Sequence, residues 1–178
     1  NMNRQVSRDM INLDTMQQAL DRISYQTGYD GFSDVDLAIE AATEKEAVKL
    51  KVFEAICAAV PKTTYLASNT SSISITRLAS ATDRPEKFIG MHFMNPVPLM
   101  QLIELIRGLA TDQETYEMAL KLAERLGKTV ANAEDYPAFI VNRVLVPMIN
   151  EAVYTLYEGV GTVESIDTAM KLGANHPM

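Results

Sequence analysis

The chain has 178 residues, of which 47% are hydrophobic, and this is enough for one medium globular domain or for one domain with part of another. A net charge of −7 with no Lys/Arg block argues against nucleic-acid binding and against attachment to an anionic membrane surface. No apolar run approaches the roughly 20 residues that a bilayer crossing needs, and the polar start of the chain lacks a signal-peptide pattern.

The single cysteine, Cys57, cannot form a disulfide within the chain. It lies in the apolar pattern of a predicted helix, so we interpret it as a core residue and not as a catalytic thiol. We therefore expect a reducing compartment, the cytoplasm or a similar lumen. We expect no metal site.

The first three quarters of the chain alternate between helical and strand patterns. In chain order the sequence predicts a helix over 7–22, a strand over 36–41, a helix over 46–60, a strand over 64–67, a short helix over 73–81, strands over 87–92 and 100–106, a helix over 112–126 with its start signal at Thr111, and a strand over 129–131. Strand, helix and strand in succession form a parallel unit, so these elements predict an α/β fold.

The pattern becomes purely helical after Asp135-Tyr136-Pro137, which we interpret as a domain boundary between residues 1–135 and 136–178. Pro147 interrupts a broad apolar stripe at helical spacing that needs a partner surface. Only one more short helix, over 163–172, follows the stripe, so either another chain or absent residues must cover it. The stripe consists of Phe139, Ile140, Val144, Leu145, Met148, Ile149, Ala152, Val153 and Leu156.

Polar side chains gather where two successive predicted strands end, which is where open α/β sheets hold their ligands. Ser68-Asn69-Thr70-Ser71-Ser72 follows one strand, and His92, one of only two histidines, ends the next. Glu104 lies in the apolar run 102–106, and a buried carboxylate is costly without a partner. We predict a proton-transfer site in which Glu104 pairs with His92. A structural histidine and an exposed strand charge are the alternatives.

The glycine-rich turn that binds a dinucleotide pyrophosphate is missing from this sequence. The eight glycines do not form a Gly-x-Gly-x-x-Gly motif, which lets backbone amides approach a phosphate at a helix N-terminus. No phosphate-binding loop is therefore predicted here.

Five stretches of the sequence carry a family resemblance: Ser68 to Ile73, Gly90 to Pro98, Leu102 to Glu104, Pro137 to Arg143 and Asp167 to Gly173. Together they resemble the L-3-hydroxyacyl-CoA dehydrogenase family, especially its 3-hydroxybutyryl-CoA dehydrogenase branch. The resemblance runs from about Ile23 onward. It implies a partial Rossmann-like NAD-binding domain over 1–135 that lacks its first βαβ unit, followed by the start of an all-α substrate and dimerisation domain over 136–178.

The resemblance implies NAD-dependent oxidation of a short-chain (S)-3-hydroxyacyl-CoA, such as 3-hydroxybutyryl-CoA, to the 3-ketoacyl-CoA in fatty acid or butanoate metabolism. By the same resemblance His92 accepts the hydroxyl proton and Glu104 stabilises the imidazole. Ser71 and Asn142 position the substrate oxygen. A helix cap for Ser71 and a surface amide for Asn142 are the alternatives.

The resemblance also implies that NAD contacts Glu44, Lys49, Asn69 and Asn95. Solvated charges near a helix start are the alternative for Glu44 and Lys49. Three positions depart from the usual family pattern: Met94 replaces an aromatic residue, Lys45 replaces an asparagine, and Ala138 stands where a glycine is usual. The methyl group of Ala138 restricts the backbone at the domain junction.

The implied partners are an acyl-CoA substrate and a second copy of the chain in a dimer. Because the glycine loop and the final helices of the family are absent, we expect the isolated chain to be weakly active or inactive. Two other functions remain open at this stage. They are a non-catalytic oligomerising remnant and a related NAD-dependent polyol or sugar-acid dehydrogenase, although the Asn-Pro-Val-Pro stretch at 95–98 favours the acyl-CoA branch.

Overall fold

A computed structural model describes residues 2–177, so Asn1 and Met178, the outermost residues of the two predicted domains, lie outside the described residues. The helices are α1 (Met2–Val6), α2 (Leu13–Leu20), α3 (Glu46–Ala59), α4 (Ile75–Ser80), α5 (Gln113–Arg125), α6 (Val141–Tyr157) and α7 (Val163–Thr168), with a 3₁₀ turn at Pro85–Lys87 and a π turn at Ala169–Gly173. The strands are β1 (Leu37–Glu40), β2 (Tyr65–Ser68), β3 (Phe88–Phe93), β4 (Leu102–Arg107) and β5 (Thr129–Glu134). An α/β region followed by helices confirms the predicted fold class.

The five strands form one sheet in the order β1-β2-β3-β4-β5. All neighbours are parallel except β3 and β4, which are antiparallel. The link between these two strands, residues 94–101, contains no helix and is too short for a parallel crossover, so the chain must reverse there. Lys128 fixes this link by donating to the carbonyl oxygens of Val97 and Met100.

Helices cover both faces of the sheet, and each face has its own apolar core. Helices α3 and α4 pack on one face, where Phe53 of α3 meets Phe88 of β3 edge to face at 4.8 Å. Helix α5 packs on the other face, where its small residues Ala119 and Ala123 are fully buried. The alternation of side chains along β3 and β4 therefore decides which helix each residue faces.

Gly90 in β3 allows α4 to lie close to the sheet. A Cβ atom at this position would lie 2.9 Å from side-chain atoms of Ile75 in α4 and of Ile106 in β4. No real Cβ contact is that short, so any side chain here would push α4 away from the strands. The same face of β3 carries His92 two residues later.

Two helix predictions were wrong in detail. The predicted helix over 7–22 is helical only in α2 (Leu13–Leu20), because Asp9 has a left-handed backbone (φ +54°) and Asn12 starts the helix by accepting from the Thr15 amide, while the separate helix α1 ends at Val6. The N-cap of helix α5 is Asp112, whose side chain accepts from the Thr115 amide, and not Thr111, where the sequence placed the start signal. The Thr111 hydroxyl is buried instead and donates to the Phe88 carbonyl.

Helix α6 continues through Pro147, and none of its residues is buried. Its apolar side chains and those of α7 line an open cavity of about 830 Å³ that also contains His176. Within residues 2–177, no helix has both the length and the apolar character needed to cross a bilayer.

The segment between β5 and α6 is fixed at one end by a buried carboxylate. Asp135 accepts from the Ser74 hydroxyl at 2.7 Å and from the amides of Ile75 and Thr76 at 2.8 Å. Burial alone would raise the pKa of Asp135, but these hydrogen bonds, led by those of Thr76, outweigh it and lower the pKa. The carboxylate therefore ties the domain junction to the start of α4.

The junction then passes through two left-handed residues, Ala138 (φ +67°) and Phe139 (φ +53°). This backbone turns the Phe139 ring inward, where it is 3% exposed. A left-handed residue with a Cβ costs about 1–2 kcal/mol relative to glycine geometry, so the methyl group of Ala138 is a local source of strain.

We predict that Ala138→Gly raises the free energy of unfolding by about 0.5–1 kcal/mol, because the relief of strain exceeds the added flexibility of the unfolded chain. Ala110→Gly is the matched control, since Ala110 is an exposed turn residue outside the left-handed region and should lose a similar amount. Urea unfolding of the 178-residue chain measures both. A loss of stability in Ala138→Gly would contradict the claim that the left-handed backbone of Ala138 is strained.

Candidate active site

The register of β3 and β4 places His92 directly opposite Glu104. Both side chains point to the face covered by α4, and the imidazole Nδ1 lies 2.7 Å from Glu104 Oε2. Glu104 is 0% exposed and His92 is 5% exposed. The structure therefore brings together the two residues that the sequence predicted as a pair.

The second oxygen of Glu104 binds the start of α6. Oε1 accepts from the backbone amides of Ile140 at 3.0 Å and Val141 at 2.9 Å. These amides belong to the first turn of a helix, where N–H groups have no partner within the helix and the helix dipole favours a negative charge. The buried carboxylate thus has donors on both oxygens, which offsets the cost of removing it from water.

The imidazole of His92 has two further contacts, one with the Phe139 ring and one with the Ser71 hydroxyl. The Phe139 ring packs edge to face on His92 at 5.6 Å. Ser71, in the loop after β2, places its Oγ 3.0 Å from His92 Nε2. Because a carboxylate only accepts, the proton of the neutral imidazole lies on Nδ1 toward Glu104, and the Nε2 lone pair faces Ser71.

The loop that carries Ser71 is held by Glu44, which lies two residues before α3. Four donors converge on Glu44 Oε1: the Thr70 hydroxyl at 2.5 Å, the Ser71 amide at 2.9 Å, and the Ser72 amide and hydroxyl at 3.1 and 3.0 Å. Burial alone would raise the pKa of Glu44, but the hydrogen bonds from these residues and the Lys49 charge lower it.

Lys49 lies behind Glu44 and is 1% exposed. Its Nζ is 2.5 Å from Glu40 Oε2 and 3.7 Å from Glu44 Oε2. Glu40 also accepts from Ser68 at 2.9 Å and from the Ala42 amide at 2.8 Å. Burial raises the pKa of Glu40, yet the hydrogen bond from Lys49 and the two other donors lower it overall. This group links β1, α3 and β2 at the carboxyl end of the sheet.

The remaining predicted site residues lie around this centre with fewer contacts. Asn69 accepts from the Phe93 amide at 2.8 Å, which joins the ends of β2 and β3. Asn95 is exposed in the link after β3, before a cis bond to Pro96. Asn142 is the second residue of α6, and within residues 2–177 no hydrogen bond joins its side chain to His92, Ser71 or Glu104.

Sequence reasoning did not assign several groups that the structure places in the site. The Thr70 and Ser72 hydroxyls that donate to Glu44 lie in the polar run 68–72, and this run was the signal that could have found them. Glu40, at the end of an apolar strand, gave the same signal as Glu104, which is a carboxylate in a buried position. The backbone amides at the start of α6 left no signal in the side-chain pattern.

The line Ser71–His92–Glu104 has the order of nucleophile, base and orienting acid found in serine hydrolases. Acyl transfer also needs free amides to stabilise an oxyanion. The amides of Ser71 and Ser72 instead point to the Glu44 carboxylate, whose charge disfavours a second anion. The geometry therefore suits proton exchange between His92 Nε2 and a bound hydroxyl better than acyl transfer.

Comparison with known protein families gives two adjacent matches. Residues 1–136 match the family described as 3-hydroxyacyl-CoA dehydrogenase, NAD binding domain, and residues 139–178 match 3-hydroxyacyl-CoA dehydrogenase, C-terminal domain. The chain is 61% identical over 178 residues to a 3-hydroxybutyryl-CoA dehydrogenase of Bradyrhizobium diazoefficiens, covering 100% of this chain and 61% of that protein. It is 50% identical over 163 residues to a probable 3-hydroxybutyryl-CoA dehydrogenase of Bacillus subtilis, covering 92% and 57%.

Among solved structures, (S)-3-hydroxybutyryl-CoA dehydrogenase PaaH1 from Ralstonia eutropha is similar to this chain with a TM-score of 0.97 and 46% identity. The similarity covers 99% of this chain and 62% of that one. The chain thus spans about three fifths of the length of these relatives.

We predict that Lys49→Met destabilises the chain by about 3–5 kcal/mol, because it leaves Glu40 buried without its cation. Lys51→Met, on the exposed side of the same helix, is the control and should change stability by less than about 0.5 kcal/mol. Urea unfolding at neutral pH compares the two variants. Equal losses of unfolding free energy in the two variants would mean that the buried Lys49–Glu40 pair does not stabilise the fold more than an exposed lysine does.

We also predict that lowering the pH reduces the free energy of unfolding of the parent chain more than that of the Glu44→Gln variant. The pKa of Glu44 is lowered on folding, so its contribution is complete above its ordinary value of 4.5 and is lost as the pH falls through the folded pKa. Glutamine does not titrate, and the free energy of unfolding of the variant should fall less steeply below about pH 4.5. Parallel slopes from urea unfolding across this range would refute the prediction.

Proposed function

This chain belongs to the 3-hydroxyacyl-CoA dehydrogenase family, and we propose that it provides the catalytic centre for the NAD-dependent oxidation of a short-chain (S)-3-hydroxyacyl-CoA to the 3-ketoacyl-CoA. One observation carries the proposal. The buried Glu104 orients His92 so that Nε2 faces a serine hydroxyl at the carboxyl ends of two parallel strands.

The residues present fit one half of the dinucleotide. Around His92, the Asn69 amide group, the exposed Asn95 and the outer edge of Glu44 offer polar contacts for a nicotinamide and its ribose. Lys49 is buried and cannot contact the cofactor directly, so it acts on this region through its ion pair with Glu44. The pyrophosphate half has no matching Gly-x-Gly-x-x-Gly turn in these 178 residues. We therefore assign Glu44, Lys49, Asn69 and Asn95 to the nicotinamide end.

NAD, when bound, supplies the acceptor for the hydride that leaves C3 of the substrate. His92 accepts the proton of the C3 hydroxyl at Nε2 as the O–H bond breaks and the C=O bond forms. Glu104 accepts a hydrogen bond from Nδ1–H throughout, which stabilises the imidazolium that results. Ser71 and Asn142 orient the substrate oxygen, Ser71 from its position beside Nε2.

We propose three further assignments. The NAD-binding domain ends at residue 135 and the helical domain begins at residue 136, and the helical part forms a homodimer and contributes to the acyl-CoA site. The exposed apolar faces of α6 and α7 support a partner surface in this region. The single cysteine supports a cytoplasmic location.

We predict that His92→Gln lowers kcat for NADH oxidation with acetoacetyl-CoA by about 10²–10⁴-fold, the range typical for loss of a general acid or base. The assay uses the 178-residue chain and a chimaera in which it replaces the matching segment of the Bradyrhizobium diazoefficiens relative. His176→Gln is the matched control, because it removes the other histidine, and should retain activity within about twofold.

Three outcomes decide the proposal. Activity that depends on His92 and not on His176 supports it. Full activity in the His92→Gln chimaera would remove His92 from the chemistry. A folded chimaera that binds NADH and acetoacetyl-CoA without turnover would overturn the proposed reaction.

A further inference from the structure

The four donors on Glu44 Oε1 come from a three-residue segment, 70–72, that contains Ser71. A carboxylate oxygen that accepts both backbone amides and hydroxyls fixes the path of a loop and not only one side chain. The Thr70 hydroxyl also accepts from the Ile73 amide at 3.0 Å, so the end of the loop turns around this hydroxyl, which itself donates to Glu44, before α4 begins.

Ser71 is held by Glu44 through its amide and meets His92 through its hydroxyl. The side chain is short, with one rotatable bond to Oγ, so the position of the hydroxyl follows the position of the backbone. The hydrogen bond to Nε2 therefore depends on where Glu44 holds the loop.

Glu44 is itself held from behind. Its Oε2 lies 3.7 Å from the ammonium group of Lys49, which Glu40 keeps in place at 2.5 Å. The Lys49 side chain is 1% exposed, so its amino group is held in one position beside Glu44 and is not free to turn toward solvent. The path from Glu40 to His92 thus consists of Lys49, Glu44 and Ser71, each fixed by its neighbour.

We propose that Glu44 is a positioning residue for the reaction, which acts by holding the Ser71 hydroxyl against His92 Nε2, and that Lys49 acts through Glu44. This inference rests on the proposed function for its kinetic consequence. Its structural part, the dependence of the Ser71–His92 contact on Glu44, stands on its own.

The first test is spectroscopic and needs no turnover. In the ¹⁵N-labelled 178-residue chain, the chemical shift of His92 Nε2 reports the hydrogen bond from Ser71. We expect Glu44→Ala and Ser71→Ala to shift this signal by the same amount. Glu46→Gln is the matched control, because Glu46 is the first residue of α3, two residues after Glu44, and pairs with Arg77 and not with the loop. This variant should leave the signal unchanged.

If Glu44→Ala does not fold, Glu44→Gln and Thr70→Val take its place. Glutamine keeps one acceptor oxygen but loses the charge, so it should shift the Nε2 signal less than Ser71→Ala does. Thr70→Val removes one donor to the same oxygen. An unchanged Nε2 signal in these variants would overturn the inference, because the loop would then hold Ser71 without Glu44.

The second test is a double-mutant cycle in the chimaera described above. We expect Glu44→Ala to lower kcat by about 10²-fold, the scale of a misplaced catalytic group, with a smaller change in KM for acetoacetyl-CoA. The double variant with Ser71→Ala should then be no slower than the slower single variant. Additive losses, or an effect confined to the KM for NADH, would assign Glu44 to cofactor contact alone and overturn the positioning role.

The two tests separate the inference from the proposed function. A shifted Nε2 signal with no turnover in the parent chimaera would retain the positioning contact and reject the reaction. An active parent chimaera with an unchanged Nε2 signal would retain the reaction and reject the positioning role.

Discussion

The carboxylate of Glu104 is the interaction on which this site depends, because its two oxygens serve two parts of the chain. Oε2 binds the imidazole of His92, and Oε1 binds the first amides of α6. The same buried charge therefore orients a base in the sheet and anchors the helical segment that follows it. Removing the carboxylate would leave three donors without an acceptor, a cost that no single surface contact could offset.

A second buried carboxylate, Glu40 in β1, binds a side chain of the neighbouring strand β2, just as Glu104 in β4 binds His92 in β3. Each lies on a strand, is removed from solvent and has donors on both oxygens. The difference is in the partner: Glu40 faces the amino group of Lys49, whereas Glu104 faces an imidazole, the side chain best suited to general acid–base chemistry. The first arrangement suits support of the loop that carries Ser71, and the second suits chemistry.

Hydrophobic periodicity was sufficient to predict the α/β order, because the strands and helices alternate with clear breaks such as Pro61. It was not sufficient for the reversal between β3 and β4, which depends on the length and path of the link. The late start of the first predicted helix, at Leu13 and not at Ser7, follows from one left-handed residue, Asp9, that the pattern does not show. Side-chain identity drew attention to His92 and Glu104. The anchoring of Glu104 by backbone amides could not be predicted, since every residue has an amide and only the fold selects which ones meet a carboxylate.

The most direct measurement of the central claim is the tautomer of His92 in the parent chain, read from the ¹⁵N shifts of its two ring nitrogens at a pH where the imidazole is neutral. A carboxylate that accepts from Nδ1 predicts a protonated Nδ1 and an unprotonated Nε2 facing Ser71. A proton on Nε2, with Nδ1 unprotonated, would contradict the claim, because Glu104 would then not orient the imidazole as a base.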